Sequence, residues 1–179
     1  MAFEWLSNSP KVLERIPVDD RASEVDLDQG HSPSVKTLGV LWVAEKDMLT
    51  YKAHPPGKEF QLTKRNFLKS IPTLFDPSGF LAPYTVRAKI IIQEMWTSEV
   101  DWDEPMKEEQ AKKARQWFQE LKSLQCVRVP RCLQPNSGDL ISTSLHSFAD
   151  TSTAAYGAVL YARNEYKTGI VVVRMVASR

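Results

Sequence analysis

The chain has 179 residues, with 23 Lys+Arg against 22 Asp+Glu, a net charge of +1, and 42% hydrophobic and 9% aromatic residues. These values exclude a disordered, collagenous or membrane-embedded chain, and the net charge by itself gives no sign of a polyanionic partner. The cysteines, Cys126 and Cys132, form neither a disulfide framework nor a CxxC zinc pair. No apolar run is long enough to span a bilayer, and Met1 to Trp5 have no basic flank leading into an apolar stretch. The expectation is an intracellular chain, cytoplasmic or nuclear, not secreted and without a membrane partner.

Charge is unevenly placed. Residues 1–35 carry a net −4, residues 36–98 a net +4, residues 99–125 a net −2 and residues 126–179 a net +3. Blocks of this kind suggest elements with different neighbours.

In chain order, Ser9 is a candidate N-cap and Pro10 a first helical residue for a short helix to about Arg15, ended by Pro17. Residues 18–35 are acidic and lack apolar periodicity, so 1–35 is taken as an N-terminal segment and acidic linker. Lys36–Val43 and Asp47–Lys52 are rich in β-formers and predict a hairpin. Pro55, Pro56 and Gly57 mark a loop.

Thr63 is a candidate N-cap for a helix from Lys64 to about Leu74, with Phe67, Leu68, Ile71, Leu74 and Phe75 as its apolar stripe. Pro72 should kink or shorten it. Asp76-Pro-Ser-Gly79 spells a turn. A helix opening at Pro83 places Tyr84, Ala88, Ile91, Ile92 and Met95 on one face, widened by Trp96. A further helix is expected with Asp103 as N-cap and Pro105 in its first turn. Ala114, Trp117, Phe118, Leu121 and Leu124 are its buried stripe, and Glu108–Lys112 and Glu109–Lys113 are candidate ion pairs on the wet side.

Residues 126–139, with Pro130, Pro135 and Gly138, read as a connector. The period then changes. Leu140–Ala149, Ala155–Ala162 and Ile170–Val176 predict an antiparallel meander, with Arg163–Gly169 as its second turn. No helix follows to cover it, which leaves one apolar face open and suggests an unfinished layer.

Few residues point to chemistry. Asp150 ends a strand beside small residues, where a carboxylate serves either as turn chemistry or as one ligand of a divalent metal. A two-metal site needs several converging acids. Asp101 and Asp103 are either an exposed residue and a helix cap or an acid/base pair. His31, His54 and His146 have no ligand spacing, and no P-loop, nucleophile elbow or GxGxxG occurs. Lys64, Arg65, Lys69, Arg87 and Lys89 give the central helices a basic side, either solvated or facing a phosphate backbone.

The ordered series Trp5-Leu-Ser-Asn8, Lys36-Thr-Leu-Gly-Val-Leu-Trp42, Thr63-Lys-Arg65, Leu74-Phe-Asp-Pro-Ser-Gly-Phe-Leu-Ala-Pro83, Val100-Asp-Trp-Asp103, Phe148-Ala-Asp-Thr-Ser152 and Ala155-Tyr-Gly-Ala158 resembles the Pol polyprotein of BEL/Pao-type long-terminal-repeat retrotransposons over nearly the whole chain. The resemblance implies an α+β fold: a β-hairpin, then a helical thumb/connection region, then an incomplete RNase H-like antiparallel three-stranded sheet. Residues 36–125 would be the primer-grip-like hairpin and thumb/connection, 126–139 a linker and 140–179 a partial RNase H-like domain.

Asp150 would match the first metal-binding, catalytic aspartate of the ribonuclease H, which uses Mg2+ with further carboxylates to cut the RNA of a hybrid. Without those partners, no stably bound cofactor is expected. The implied partners are an RNA–DNA hybrid or template-primer, contacted through Lys64, Arg65, Lys69, Arg87 and Lys89, and the remainder of the Pol polyprotein. Thr151 and Pro72 depart from the family's usual residues. The expected function is that of a Pol fragment of the reverse transcriptase/RNase H region, inactive alone. The alternatives are a non-catalytic nucleic-acid-binding remnant and a pseudogene product without function.

Overall fold

The computed structural model describes residues 5–21, 40–53, 55–57, 59–135 and 138–179, and residues 34–37 by their backbone. It has two compact units, Met1–Lys52 with Leu124–Cys132, and Ala53–Ser123 with Leu133–Arg179. These limits differ from the stretches 36–125 and 126–139 read from the sequence.

In the first unit, α1 spans only Pro10–Leu13, with Pro at its start and no capping bond from Ser9. The predicted first strand, Lys36–Val43, is two strands. β1 (Ser34–Thr37) and β2 (Val40–Val43) pair antiparallel, with Thr37 opposite Val40. Residues 38 and 39 between them lie outside the described residues.

β3 (Met48–Tyr51) pairs with β2, and β4 (Val129–Pro130), which falls within the expected connector, pairs with β3. The sheet order is β1-β2-β3-β4. Leu41, Val43, Thr50 and Tyr51 are buried in it. The Thr50 hydroxyl donates to the Val127 carbonyl at 2.9 Å, which ties the 124–132 stretch to β3. Trp42 donates its indole N–H to Asp47 at 3.0 Å, and the Arg131 guanidinium lies 4.9 Å from the Trp42 ring while also binding Asp47 at 2.6 Å.

In the second unit, α2 (Lys64–Ser70) starts as expected, its Thr63 side chain accepting from the Asn66 N–H at 3.2 Å. Pro72 then falls in a 3-10 turn, Ile71–Thr73, so the helix is shortened. Of its predicted stripe, Phe67 and Leu74 are buried, whereas Leu68 and Phe75 are exposed. The Asp76–Gly79 turn is held by the Asp76 carboxylate, which accepts the N–H groups of Phe80 and Leu81 at 3.0 and 2.6 Å.

α3 (Ala82–Thr97) buries Ala88, Ile91 and Met95, and α4 (Glu108–Leu121) buries Ala114, Trp117, Phe118 and Leu121. Tyr84 and Trp117 join the two helices. Their rings stack at 4.8 Å, the Tyr84 hydroxyl donates to the Trp117 carbonyl at 2.5 Å, and the Trp117 indole donates to the Tyr84 carbonyl at 3.2 Å. Burial, reinforced by the Glu120 charge, pushes the Tyr84 pKa up, so the hydroxyl stays protonated.

Two expectations about α4 need correction. Asp103 does not cap it: the helix begins five residues later, after Lys107. Glu104 precedes Pro105, which disfavours helical backbone there. Residues 105–106 instead run alongside the chain before α2, with Thr63 bridging Pro105 and the Met106 N–H donating to the Leu62 carbonyl at 2.9 Å. Glu108 binds Arg115, not Lys112, at 2.9 Å. Glu109–Lys113 does form, at 3.4 Å, although Lys113 is closer to Glu94, at 2.8 Å.

β5 (Leu140–Thr151), β6 (Tyr156–Tyr166) and β7 (Val171–Ser178) form the expected antiparallel meander. β6 runs through Tyr166, so its second turn is shorter than Arg163–Gly169. One face of β6 is closed by the unit's own chain. Asn164 is buried and donates to the Leu133 carbonyl at 2.7 Å, and the Tyr166 hydroxyl donates to the Pro135 carbonyl at 2.7 Å. Leu145, Phe148, Val171 and Val173 remain exposed. The fold class is α+β, as expected. No helix among the described residues is long and apolar enough to cross a membrane.

Candidate nucleic-acid interface and the Asp150 carboxylate

Asp150 stands one residue before the end of β5, opposite Gly157 of β6. Its side chain is exposed and accepts the Thr151 N–H at 2.8 Å. The turn that follows is closed by Ser152, whose N–H donates to the Ala155 carbonyl at 2.8 Å and whose hydroxyl oxygen accepts the N–H groups of Ala154 and Ala155, each at 3.2 Å. The small residues around Asp150 leave room. A Cβ placed at Gly157 would meet nothing closer than the Arg179 carbonyl at 3.8 Å.

Alternation along β5 puts His146, Phe148 and Asp150 on one face. On that face a shallow hollow of about 320 Å3 is lined by His146, Phe148, Tyr161, Arg163 and Val173. Among the described residues no group of three or more His, Cys, Asp or Glu side chains is placed to hold a metal ion. Asp150 with its present neighbours does not fit a two-metal site, which requires converging carboxylates.

The five predicted basic residues divide into three situations. Lys64 is buried, with its Nζ 4.8 Å from the Trp96 ring centre and 5.9 Å from that of Trp102. Arg65 and Arg87 are fork-bound to carboxylates. Arg65 reaches both Asp103 oxygens at 2.7 and 3.0 Å, and Arg87 binds Glu120 through both of its terminal nitrogens. These hydrogen bonds lower the pKa of Asp103 and of Glu120 and raise those of both arginines. Lys69 and Lys89 are exposed and make no ion pair among the described residues.

Sequence reasoning does not pair Trp96 with Trp102. Trp96 was expected to widen the buried face of its helix, yet it is 51% exposed and meets Trp102 edge to face at 5.3 Å. Its position after Met95, at the end of the apolar periodicity, was the available signal.

The family model of the Pao retrotransposon-like RNaseH-like domain matches residues 63–179, from the cap of α2 to the last residue. The chain therefore belongs to that family and is related to the Pol polyproteins of such elements. No curated protein and no solved structure matches it.

Proposed function

We propose that the chain is a fragment of a BEL/Pao Pol polyprotein that serves as nucleic-acid-facing scaffold of the reverse transcriptase/RNase H region. Residues 140–179 would supply the opening strands of the RNase H-like domain, with Asp150 as its first Mg2+-binding carboxylate. The strands from Lys36 and the helices of the second unit would be the primer-grip and thumb/connection parts. The partner would be an RNA–DNA hybrid or template-primer, with the rest of Pol beside it.

The observation that carries this is Asp150, exposed near the end of the first strand of the family-matched antiparallel meander and facing Gly157 across the pair. A lone carboxylate gives Mg2+ one anchoring ligand and leaves a nucleophilic water unactivated, so no cleavage by this chain alone is expected. Lys69 and Lys89, exposed and without an ion pair among the described residues, favour the non-catalytic binding role within the same setting.

The test pairs two measurements on the purified chain. Fluorescence anisotropy with a labelled RNA–DNA hybrid at low salt should show binding. Incubation of the same hybrid with Mg2+ should show no turnover above an Asp150→Asn control. Sustained Mg2+-dependent cleavage lost in that variant would overturn the non-catalytic assignment, and absence of hybrid binding would overturn the scaffold role.

A further inference from the structure

β5 is an edge strand of the meander, and its outer side pairs with no other strand among the described residues. The opposite edge, β7, is partly closed, because the Ser178 N–H donates to the Ser78 carbonyl at 2.9 Å. Which β5 groups face outward follows from Ala158, which exchanges backbone hydrogen bonds in both directions with Arg179 on the β7 side. Ala149, its partner in β5, therefore aims its N–H and C=O away from β6. By alternation Leu145, Ser147 and Thr151 do the same. Such a row is a template for another strand, and proteins ordinarily block it with Lys, Pro or a bulge. Leu140–Thr151 contains no Lys, Arg or Pro. Its one irregularity lies between Leu140 and Ser142, outside the stretch from Leu145 to Thr151.

The strand's own side chains indicate the occupant. His146, Phe148 and Asp150 share one face, and Phe148 is 61% exposed. An antiparallel copy of β5 can slide along it only in steps of two residues, because each face must stay on its own side. One register sets Phe148 against its counterpart. There Asp150 of each copy stands opposite His146 of the other, Ser147 opposite Ala149, and Leu145 opposite Thr151. A step to either side puts Asp150 opposite Ser144 or Phe148 and loses the match. The Asp150 carboxylate already leans on the edge, where one oxygen accepts the Thr151 N–H at 2.8 Å, which leaves the second for an imidazole N–H. His146 meets Ser144 through Nε2 at 2.9 Å, so Nδ1 is the nitrogen that donates across. This register also avoids Thr143, whose hydroxyl accepts from Gln134 at 3.2 Å. A nucleic-acid strand is disfavoured here, because it has no ladder of amide donors and carbonyl acceptors and Asp150 opposes its phosphates.

We propose that β5 pairs with β5 of a second copy about a two-fold axis at Phe148, joining two meanders into one continuous antiparallel sheet. In the dimer Asp150 is taken by His146 of the second copy, in keeping with the non-catalytic assignment. The pairing goes beyond hybrid binding, which falls to Lys69 and Lys89 on α2 and α3.

Sedimentation equilibrium of the full chain measures the association. A dimer is expected at about 100 µM, since so short a paired segment makes a weak interface. Ser147→Pro deletes an outward N–H and spares the β5–β6 ladder. It should raise the dissociation constant by at least about tenfold. His146→Asp sets carboxylate against carboxylate and should weaken the dimer likewise. Adding Asp150→His to it restores opposite partners and should restore the dimer. Phe148→Cys, in a chain with Cys126→Ser and Cys132→Ser, should form a disulfide between copies under mild oxidation, because facing Cα atoms in such a pair stand about 4.5 Å apart. Circular dichroism melts check that each variant folds, and Ala149→Pro replaces Ser147→Pro if that variant does not.

A chain still monomeric at about 100 µM would overturn the pairing and leave the edge to a strand of another protein. So would a dimer that persists in the folded proline variant, or a charge swap that fails to restore association. Cross-linking of Phe148→Cys no faster than that of a Ser142→Cys control would overturn it as well.

Discussion

Gly79→Ala is the sharpest test of how the Leu74–Pro83 motif acts in this fold. Gly79 has φ +71, and a Cβ on it would fall 1.7 Å from the Ser178 carbonyl oxygen and 2.6 Å from its carbonyl carbon. Both are backbone atoms, so no change of rotamer relieves the clash. The end of β7 is docked on the turn at this point. The Ser178 N–H donates to the Ser78 carbonyl at 2.9 Å, and the Ser178 hydroxyl donates to the Gly79 carbonyl.

Admitting the methyl forces β7 off the turn. That forfeits two hydrogen bonds, at about 0.5–1.5 kcal/mol each. Left-handed backbone for alanine adds about 1 kcal/mol. The expected loss is about 2–4 kcal/mol, a fall in melting temperature of roughly 5–12 °C for a chain of this size. Circular dichroism melts measure it, and hydrogen exchange at the Ser178 amide locates it.

Removing Ser178 and Arg179 from both backgrounds isolates the cause. The clash disappears, and Gly79→Ala should then cost only the dihedral part, about 1 kcal/mol. An unchanged melting temperature in the full chain, or an equal cost in both backgrounds, would refute the docking.

Three further outcomes are expected. Thr63→Ala removes the side-chain bond to the Asn66 N–H and should cost about 1 kcal/mol in denaturant unfolding, most of it recovered by Thr63→Ser. Glu120 has its pKa lowered by its hydrogen bonds to Arg87 and then Gln116 from an ordinary value of 4.5. Its pairing therefore supports the fold fully above that value and is lost as pH falls through the depressed one. The stability gap between wild type and Glu120→Gln should narrow in acid, and a gap that widens below pH 4.5 would contradict the pairing. In hybrid binding, contact through Lys69 and Lys89 alone predicts a log–log salt slope of about −1.8, against about −4.5 if all five predicted cations met phosphates.

Local signals carried most of the fold. The Thr63 cap, the shortening at Pro72, the Asp76–Gly79 turn, the apolar faces of α3 and α4 and the final meander all follow from capping chemistry, proline geometry and period, which act within a few residues. Where distant chain intervened, the sequence misled. Asp103 has the composition of a helix cap, but Pro105 and the neighbouring Leu62–Thr63 segment draw its stretch into extended pairing, and its carboxylate goes to Arg65. Val129 and Pro130 look like connector because a two-residue strand has no period, and only β3 gives them their role. Asp150 was legible as a strand-end carboxylate. The Trp96–Lys64–Trp102 arrangement was not, since it joins three residues spread over α2, α3 and the segment after it.

The alternating charge blocks acquire a physical meaning from their pairings. Arg65 and Arg87 of the positive block 36–98 hold Asp103 and Glu120 of the negative block 99–125, and Glu94 of the former holds Lys113 of the latter. All three pairs are substantially exposed, so they add little to stability. Their consequence for binding is larger. A phosphate approaching Arg65 or Arg87 must displace a carboxylate that already matches the guanidinium fork, and it releases a free anion next to itself. The gain from such an exchange is small, whereas Lys89 makes no ion pair among the described residues and Lys69 feels Asp103 only through its field, so a phosphate there displaces mainly mobile counterions. On the proposed scaffold reading, nucleic-acid affinity in the helical unit would then come from few charges together with uncharged contact area.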